Sequence, residues 1–162
     1  CSQSRGLGDV YKRQSLNEHR NHILSKTIAP APLPKDIHDQ ARQMVCRIAE
    51  AVNLVGVLAL ELFVTKEGRL LANEIAPRTH NSGHWTIDAC FVSQFENHVR
   101  AVCGLPLGST QAHSSAEMIN LIGNDIHIID TYFAMDNAHI HLYGKEEARD
   151  GRKMGHITLL TS

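Results

Sequence analysis

The chain has 162 residues, with 16 basic and 17 acidic side chains and a formal charge of −1. That length suits one ordinary domain with a sizeable core. The charge balance excludes a general polyanion-binding or polybasic membrane surface but leaves room for a local anion site.

Residues 1–14, CSQSRGLGDVYKRQ, have neither helical nor strand periodicity. They are expected to be foreign to the fold, and resemble translated sequencing-adapter read-through. IAPAPLP then reads as an extended linker, because each proline disfavours helix in the residue before it. From Pro34 to Asn53, Ile37, Ala41, Met44, Val45, Ile48, Ala49 and Val52 recur at offsets of three and four, which predicts an amphipathic helix. Val55–Thr65 and Leu70–Ile75 read as strands around the turn KEGR. The apolar run VGVLALELFV is broken by Glu61 and is too short to span a bilayer. A crowded polar stretch, NEIAPRTHNSGHW, follows from Asn73. Asp88–Cys103 is predicted helical, with Val92, Phe95, Val99 and Val102 inward and Gly104 as its cap. AEMINLIG reads as a strand, HIIDTYFAM is ambiguous, and AHIHLYGK with RKMGHITLL reads as a hairpin. Sheet, helices and adjacent hairpins together predict an α+β fold, mainly antiparallel, with a small C-terminal hairpin region. Cys46, Cys90 and Cys103 fall in apolar periodic segments without CxxC spacing, as expected of buried thiols in a reducing cytoplasm.

Like charges meet in two places. If Glu67-Gly68 is a two-residue turn, Glu61 lies opposite Glu74, with Leu60, Leu62, Val64, Leu71 and Ile75 on the opposite, core face. Facing carboxylates destabilise a sheet unless something neutralises them. A hard divalent cation does so, and Mg²⁺ takes one or two carboxylates plus substrate phosphates. The alternatives are that both side chains splay into solvent, or that a three-residue turn shifts the register. In the second hairpin His139, His141, Tyr143 and Lys145 alternate with Ala138, Ile140, Leu142 and Gly144. The connection EEARDG brings Lys145 towards Arg152. Paired cations suit a phosphate; spacing alone favours the plainer reading, a solvated basic turn balanced by Glu146, Glu147 and Asp150.

Within the polar stretch, Pro77, Ser82 and Gly83 argue against a helix that would set His80 and His84 as zinc ligands. Arg78, His80, Asn81 and Ser82 instead offer donors beside the carboxylate pair, as phosphoryl transfer needs. Trp85 is expected to pack.

The segment GVLALELFVTKEGRLLANEIAPRTHNSGHWTIDACFVSQFENHVRAVCGLPLG resembles the C-terminal part of the 5-(carboxyamino)imidazole ribonucleotide synthase family of ATP-grasp ligases. HLYGKEEARDGRKMGHIT resembles that family's substrate-phosphate motif, and NEHRNHILSKTIAPAP its entry into this region. The resemblance runs from about Leu16 to the C-terminus and implies the ATP-grasp C-terminal catalytic half. It implies a catalytic, metal-binding region over 15–108 and a shortened substrate-phosphate region over 109–162. The implied reaction is ATP-dependent carboxylation of aminoimidazole ribonucleotide by bicarbonate, through carboxyphosphate, in cytoplasmic purine synthesis. ATP and Mg²⁺ are the implied cofactors. The resemblance implies no nucleic-acid or membrane partner, and a homodimer for the complete enzyme. Carried over residue by residue, it implies that Glu61 and Glu74 bind Mg²⁺ and that Phe63 packs on adenine. Arg78 would stabilise the transferred phosphoryl group. His80, Asn81 and Ser82 would line the carboxyphosphate pocket, and Lys145 and Arg152 would hold the ribonucleotide phosphate. The family's N-terminal domain and lid have no counterpart here, so the chain is expected to be an inactive fragment by itself. Another ATP-grasp carboxylate–amine ligase, or a non-catalytic metal- or nucleotide-binding remnant, remains the alternative.

Overall fold

The computed structural model describes residues 14–161. Five strands form one antiparallel sheet: β1 (Leu16–Arg20), β2 (Ile23–Ala29), β5 (Ser115–Ile122), β6 (Ala138–Leu142) and β7 (Lys153–Thr161). Their order is β1-β2-β5-β7-β6. A separate antiparallel hairpin joins β3 (Ala59–Val64) and β4 (Leu70–Ala76). The helices are α1 (Lys35–Ala51), α2 (Thr86–Ala89) and α3 (Gln94–Val102). The expected α+β class is present.

The first hairpin of the large sheet escapes a reading by apolar period. β1 is mostly exposed, and β2 buries only Leu24, Thr27 and Ala29. Its signal lies in the turn: Asn21 and His22 both have positive φ, at 51° and 61°, between the paired Arg20 and Ile23. That is a two-residue turn matched to the twist of its strands, and Asn tolerates such φ values. Residues 1–13 of the expected leader lie outside the described residues, but Gln14 does not stand apart. Its carbonyl accepts from Ala31 N at 2.7 Å, and its amide donates to the His38 carbonyl at 3.0 Å.

Of the predicted stripe, helix α1 buries Ile37, Ala41, Val45 and Ala49 and half-buries Met44 and Ile48, while Val52 beyond its end is exposed; the helix lies against β3 and β4. The predicted Asp88–Cys103 helix is broken at Cys90–Ser93, where Cys90 bridges to Ala112 and Ser93 caps α3 by accepting from Glu96 N. The break rotates α3. It buries Gln94, Asn97 and Ala101, while Phe95, Val99 and Val102 are exposed, opposite to expectation. The buried amides are satisfied: Asn97 pairs with both backbone groups of Gly108. Gly104, at φ 66°, closes the helix as predicted.

The large sheet has an apolar cluster on each side. Ala29, Trp85, Ala89, Cys90, Ala112, Ala116 and Met118 form one, so Trp85 packs as expected. Leu121, Met154 and Ile157 form the other, covered by Ile126 and Ile129 from the 3-10 segment Gly123–Thr131. Cys90 is buried but Cys103 is exposed, against the expectation for its segment.

The expected core face of the β3–β4 hairpin is not formed, since Val64, Leu71 and Ile75 are exposed. Its turn also differs. Thr65 and Arg69 close a three-residue loop, Lys66–Glu67–Gly68, with Gly68 N bonded to Thr65 O and Gly68 at φ 77°. Only glycine adopts that φ without cost, which favours the longer loop.

Candidate functional site

The three-residue loop shifts the register by one, so Val64 faces Leu70 and Leu62 faces Ala72. A bulge at Asn73 then adds one residue to β4 and restores Glu61 opposite Glu74. Asn73 donates its amide to Glu61 Oε2 at 3.2 Å. Sequence reasoning gave Asn73 no role; its signal was an amide directly before Glu74.

After Ala76 the chain turns sharply, with Arg78 N bonded to the Ala76 carbonyl. His80 begins a 3-10 turn over Asn81–Gly83, and its Nδ1 accepts from Ser82 N. Ser82 Oγ also lies 2.7 Å from Nδ1. With Nδ1 an acceptor, the neutral ring carries its proton on Nε2, which points to Glu61 Oε1 at 3.6 Å. Burial lowers the His80 pKa, outweighing the opposite pull of Glu61, and Arg78 acts in the same direction as burial. The order Ser82, His80, Glu61 parallels a nucleophilic triad, but 3.6 Å is not a hydrogen bond.

Donor atoms of Glu61, Glu74 and His80 all lie within 4.8 Å of one another. Two carboxylates converging at that distance match the donor set of a hard divalent cation. Glu61 and His80 border a cleft of about 430 Å³ that Phe63, Asn73, Arg78 and Ser82 also line. Phe63 is largely exposed there, and the Arg78 guanidinium donates to the Thr79 carbonyl.

The sheet anchors this loop. Asn81 and the buried Asn120 of β5 exchange amide hydrogen bonds of 3.0 and 2.6 Å, and Asn120 also donates to the Leu24 carbonyl. Asn81 therefore commits its side-chain amide to the sheet. Buried Gln94 clamps His80 from the other side, accepting from its N–H at 3.0 Å and donating to its carbonyl at 2.8 Å.

The second hairpin carries the other predicted cations. Lys145 Nζ donates to the Lys153 carbonyl at 2.6 Å and lies 5.7 Å from the Tyr143 ring centroid. Arg152 Nη1 reaches the Glu147 carbonyl at 3.4 Å, so the two head groups take separate partners. Lys153, which sequence reasoning passed over, joins the two regions. Its pKa is lowered first by burial, then by Arg78 and Lys145, against the pull of Glu61. Its signal was its place beside Arg152.

Behind the hairpin lies a cluster around Asp88, His141 and His156. Asp88 accepts from His141 Nε2 at 2.9 Å. The His141 and His156 rings stack at 4.5 Å with 12° between their planes. Their donor atoms and those of Asp88 fall within 4.8 Å. A metal must lie in the plane of each imidazole at about 2 Å from nitrogen. Stacked, near-parallel rings cannot both meet that condition, so the cluster is not a metal centre in this arrangement.

The family model for the ATP-grasp domain matches residues 2–95, and that for the phosphoribosylaminoimidazole carboxylase C-terminal domain matches residues 116–162. The chain belongs to the ATP-grasp family. It is 53% identical over 142 residues to the N5-carboxyaminoimidazole ribonucleotide synthase of Brucella melitensis, covering 88% of this chain and 39% of that protein. It is 48% identical to the Bacillus subtilis enzyme of the same name, covering 89% of this chain and 38% of that one. The Aspergillus clavatus synthase, solved with ADP and 5-aminoimidazole ribonucleotide, superposes with a TM-score of 0.87 at 34% identity, over 91% of this chain and 41% of the solved chain. The chain thus spans about two fifths of the length of these relatives. Among the described residues, no helix is long and apolar enough to cross a membrane.

Proposed function

We propose that this chain is the catalytic floor of an N5-carboxyaminoimidazole ribonucleotide synthase, joining bicarbonate to the amine of 5-aminoimidazole ribonucleotide at the expense of ATP. The observation that carries the reading is the convergence of Glu61, Glu74 and His80, of which Glu61 and His80 line one cleft with Arg78. The likeness to named synthases supports the choice of substrates. Residues 15–108 are read as the catalytic region and 109–162 as the substrate-phosphate region, in a cytoplasmic enzyme that works as a homodimer.

In this reading Glu61 and Glu74 hold Mg²⁺, which when bound neutralises charge on the ATP phosphates. Asn73 steadies Glu61 for that task by its hydrogen bond. Phe63 offers an exposed apolar face to the adenine. A bicarbonate oxygen attacks the γ-phosphorus, the bond to the ADP oxygen breaks, and carboxyphosphate forms. Arg78 compensates the charge spread over the transferred phosphoryl oxygens. The substrate amine then attacks the carboxyl carbon, phosphate leaves, and the amine loses a proton. His80 and Ser82 line the carboxyphosphate pocket. A neutral His80 has a donor on Nε2 without adding a cation that would compete for the anion. Asn81 sets the loop through Asn120. Lys145 and Arg152 hold the ribonucleotide phosphate, with Lys153 between that end and Arg78.

The test is a full-length ligase carrying these residues, assayed for ADP and carboxylated ribonucleotide with bicarbonate present. Equal formation of both products is expected. ATP cleavage that responds to a different amine, and not to 5-aminoimidazole ribonucleotide, would move the chain to another carboxylate–amine ligase.

A further inference from the structure

The two ends of the site lie on different sheets, Glu61 and Glu74 on the small hairpin and Lys145 beyond β6. A continuous run of side chains connects them. Gln94 grips both backbone groups of His80, and its Nε2 lies 2.9 Å from His84 Nδ1. The His84 ring packs against His156 at 5.3 Å between centroids. His156 Nδ1 lies 2.9 Å from the Tyr143 hydroxyl, and the Tyr143 ring carries the Lys145 ammonium at 5.7 Å. Nothing in the phosphoryl-transfer chemistry requires this run.

It is built closely. Gln94 is 4% exposed and His156 1%. A Cβ at Gly83 would lie 2.7 Å from Gln94 Oε1, so glycine is needed for that amide to reach the loop. Among the described residues, His156 Nε2 is buried without a hydrogen-bond partner. A proton on Nδ1, donated to the Tyr143 oxygen, leaves Nε2 a bare acceptor and avoids an orphaned N–H, the rarer outcome in proteins.

We propose that Gln94, His84, His156 and Tyr143 are positioning residues that hold the carboxyphosphate end and the ribonucleotide-phosphate end of the site at one fixed separation. The proposal rests on the function read above. Reaction between a short-lived acyl phosphate and an amine tolerates little misplacement, and the run passes between the two. His84 faces Lys153, His80 and His141, and His156 faces His84, His141 and the Asp88 carboxylate, which is engaged by His141, with Tyr143 and Lys145 beyond. Burial lowers the pKa of His84 to about 4 and of His156 to about 3, which keeps both neutral.

The experiment uses the full-length ligase with Tyr143→Phe, His156→Leu and His156→Asn, the last because its amide can occupy the place of Nδ1. Tyr143→Phe and His156→Leu should raise the KM for the ribonucleotide about tenfold, the scale of one lost hydrogen bond. They should also release several ADP per carboxylated product, with the KM for ATP within about twofold of wild type. His156→Asn should recover most of the coupling. An unchanged ADP-to-product ratio in Tyr143→Phe, or both KM values rising together, overturns the proposal and leaves the run as packing. Nitrogen NMR of the imidazoles decides the point even if the wild type does not carboxylate this ribonucleotide. Single neutral tautomers at His84 and His156 at pH 7, with His156 shifted by Tyr143→Phe, are expected. Rings that titrate near pH 6.5 overturn the network independently of the substrate reading.

Discussion

Glu61 faces Glu74 across β3 and β4 because two irregularities cancel: a three-residue loop displaces the pairing by one, and the bulge at Asn73 returns it. One slip alone would send Glu74 to the other face of the hairpin, since strand side chains alternate. A regular two-residue turn would give the same facing pair, but without the extra residue whose amide now holds Glu61.

The pair should respond to Mg²⁺ in binding as well as catalysis. Facing like charges cost about 0.2–1 kcal/mol, so Glu74→Gln should unfold at slightly higher denaturant than wild type without Mg²⁺. Mg²⁺ should raise the melting temperature of the wild type and not of the variant. In the full-length ligase Glu61→Ala and Glu74→Ala should abolish ATP cleavage; normal turnover at ordinary Mg²⁺ would refute the metal role.

Asn120 exchanges two amide hydrogen bonds with Asn81 and a third with the Leu24 carbonyl. Asn120→Leu should strand those groups and cost about 1–3 kcal/mol for each left buried and unpaired. Urea denaturation measures this. A loss under about 0.5 kcal/mol would mean that water replaces the pair.

For the cationic end, Lys145→Ala and Arg152→Ala should each weaken ribonucleotide binding by roughly 1.5–3 kcal/mol, the scale of hydrogen bonds to charged groups. The KM for ATP should stay near its original value. A raised KM for ATP alone would reverse the assignment. The separate carbonyl partners of Lys145 and Arg152 imply that both head groups reorient when phosphate arrives, which a structure with the ribonucleotide would display.

Stability should fall with acid in a particular window. Burial lowers the pKa of His84 to about 4 and of His156 to about 3, below the ordinary imidazole value of 6.5. Between those values the unfolded chain binds more protons, so both residues stabilise the fold above pH 6.5 and lose that contribution as pH drops towards the folded values. The loss should be on the order of a few kcal/mol across the window. Denaturation midpoints from pH 7.5 to 4.5 measure it, and His156→Gln should flatten the slope. A flat profile in the wild type would contradict neutral buried rings.

The local periods in the chain carried much of the architecture. The stripe of α1, the strands β5 and β7, and the glycine after α3 follow from neighbouring residues, so they could be read before any contact was known. The crowding of Arg78, His80, Asn81 and Ser82 after two separated glutamates also marked where polar groups gather. What the periods could not state was direction. The pattern Val92, Phe95, Val99, Val102 is helical, yet the break at Cys90–Ser93 rotates α3 and buries Gln94 and Asn97. Those amides can be buried only because backbone groups of His80 and Gly108 stand ready to receive them. Lys153, Asn73 and the His84–His156–Tyr143 run were hidden for the same reason. Each gains its meaning from a partner distant in the sequence, a loop excursion that only tertiary packing closes. Local spacing determined which elements form and where polar groups gather. The folded sheets decided which of those groups meet, because burial and hydrogen bonding are satisfied by neighbours in space.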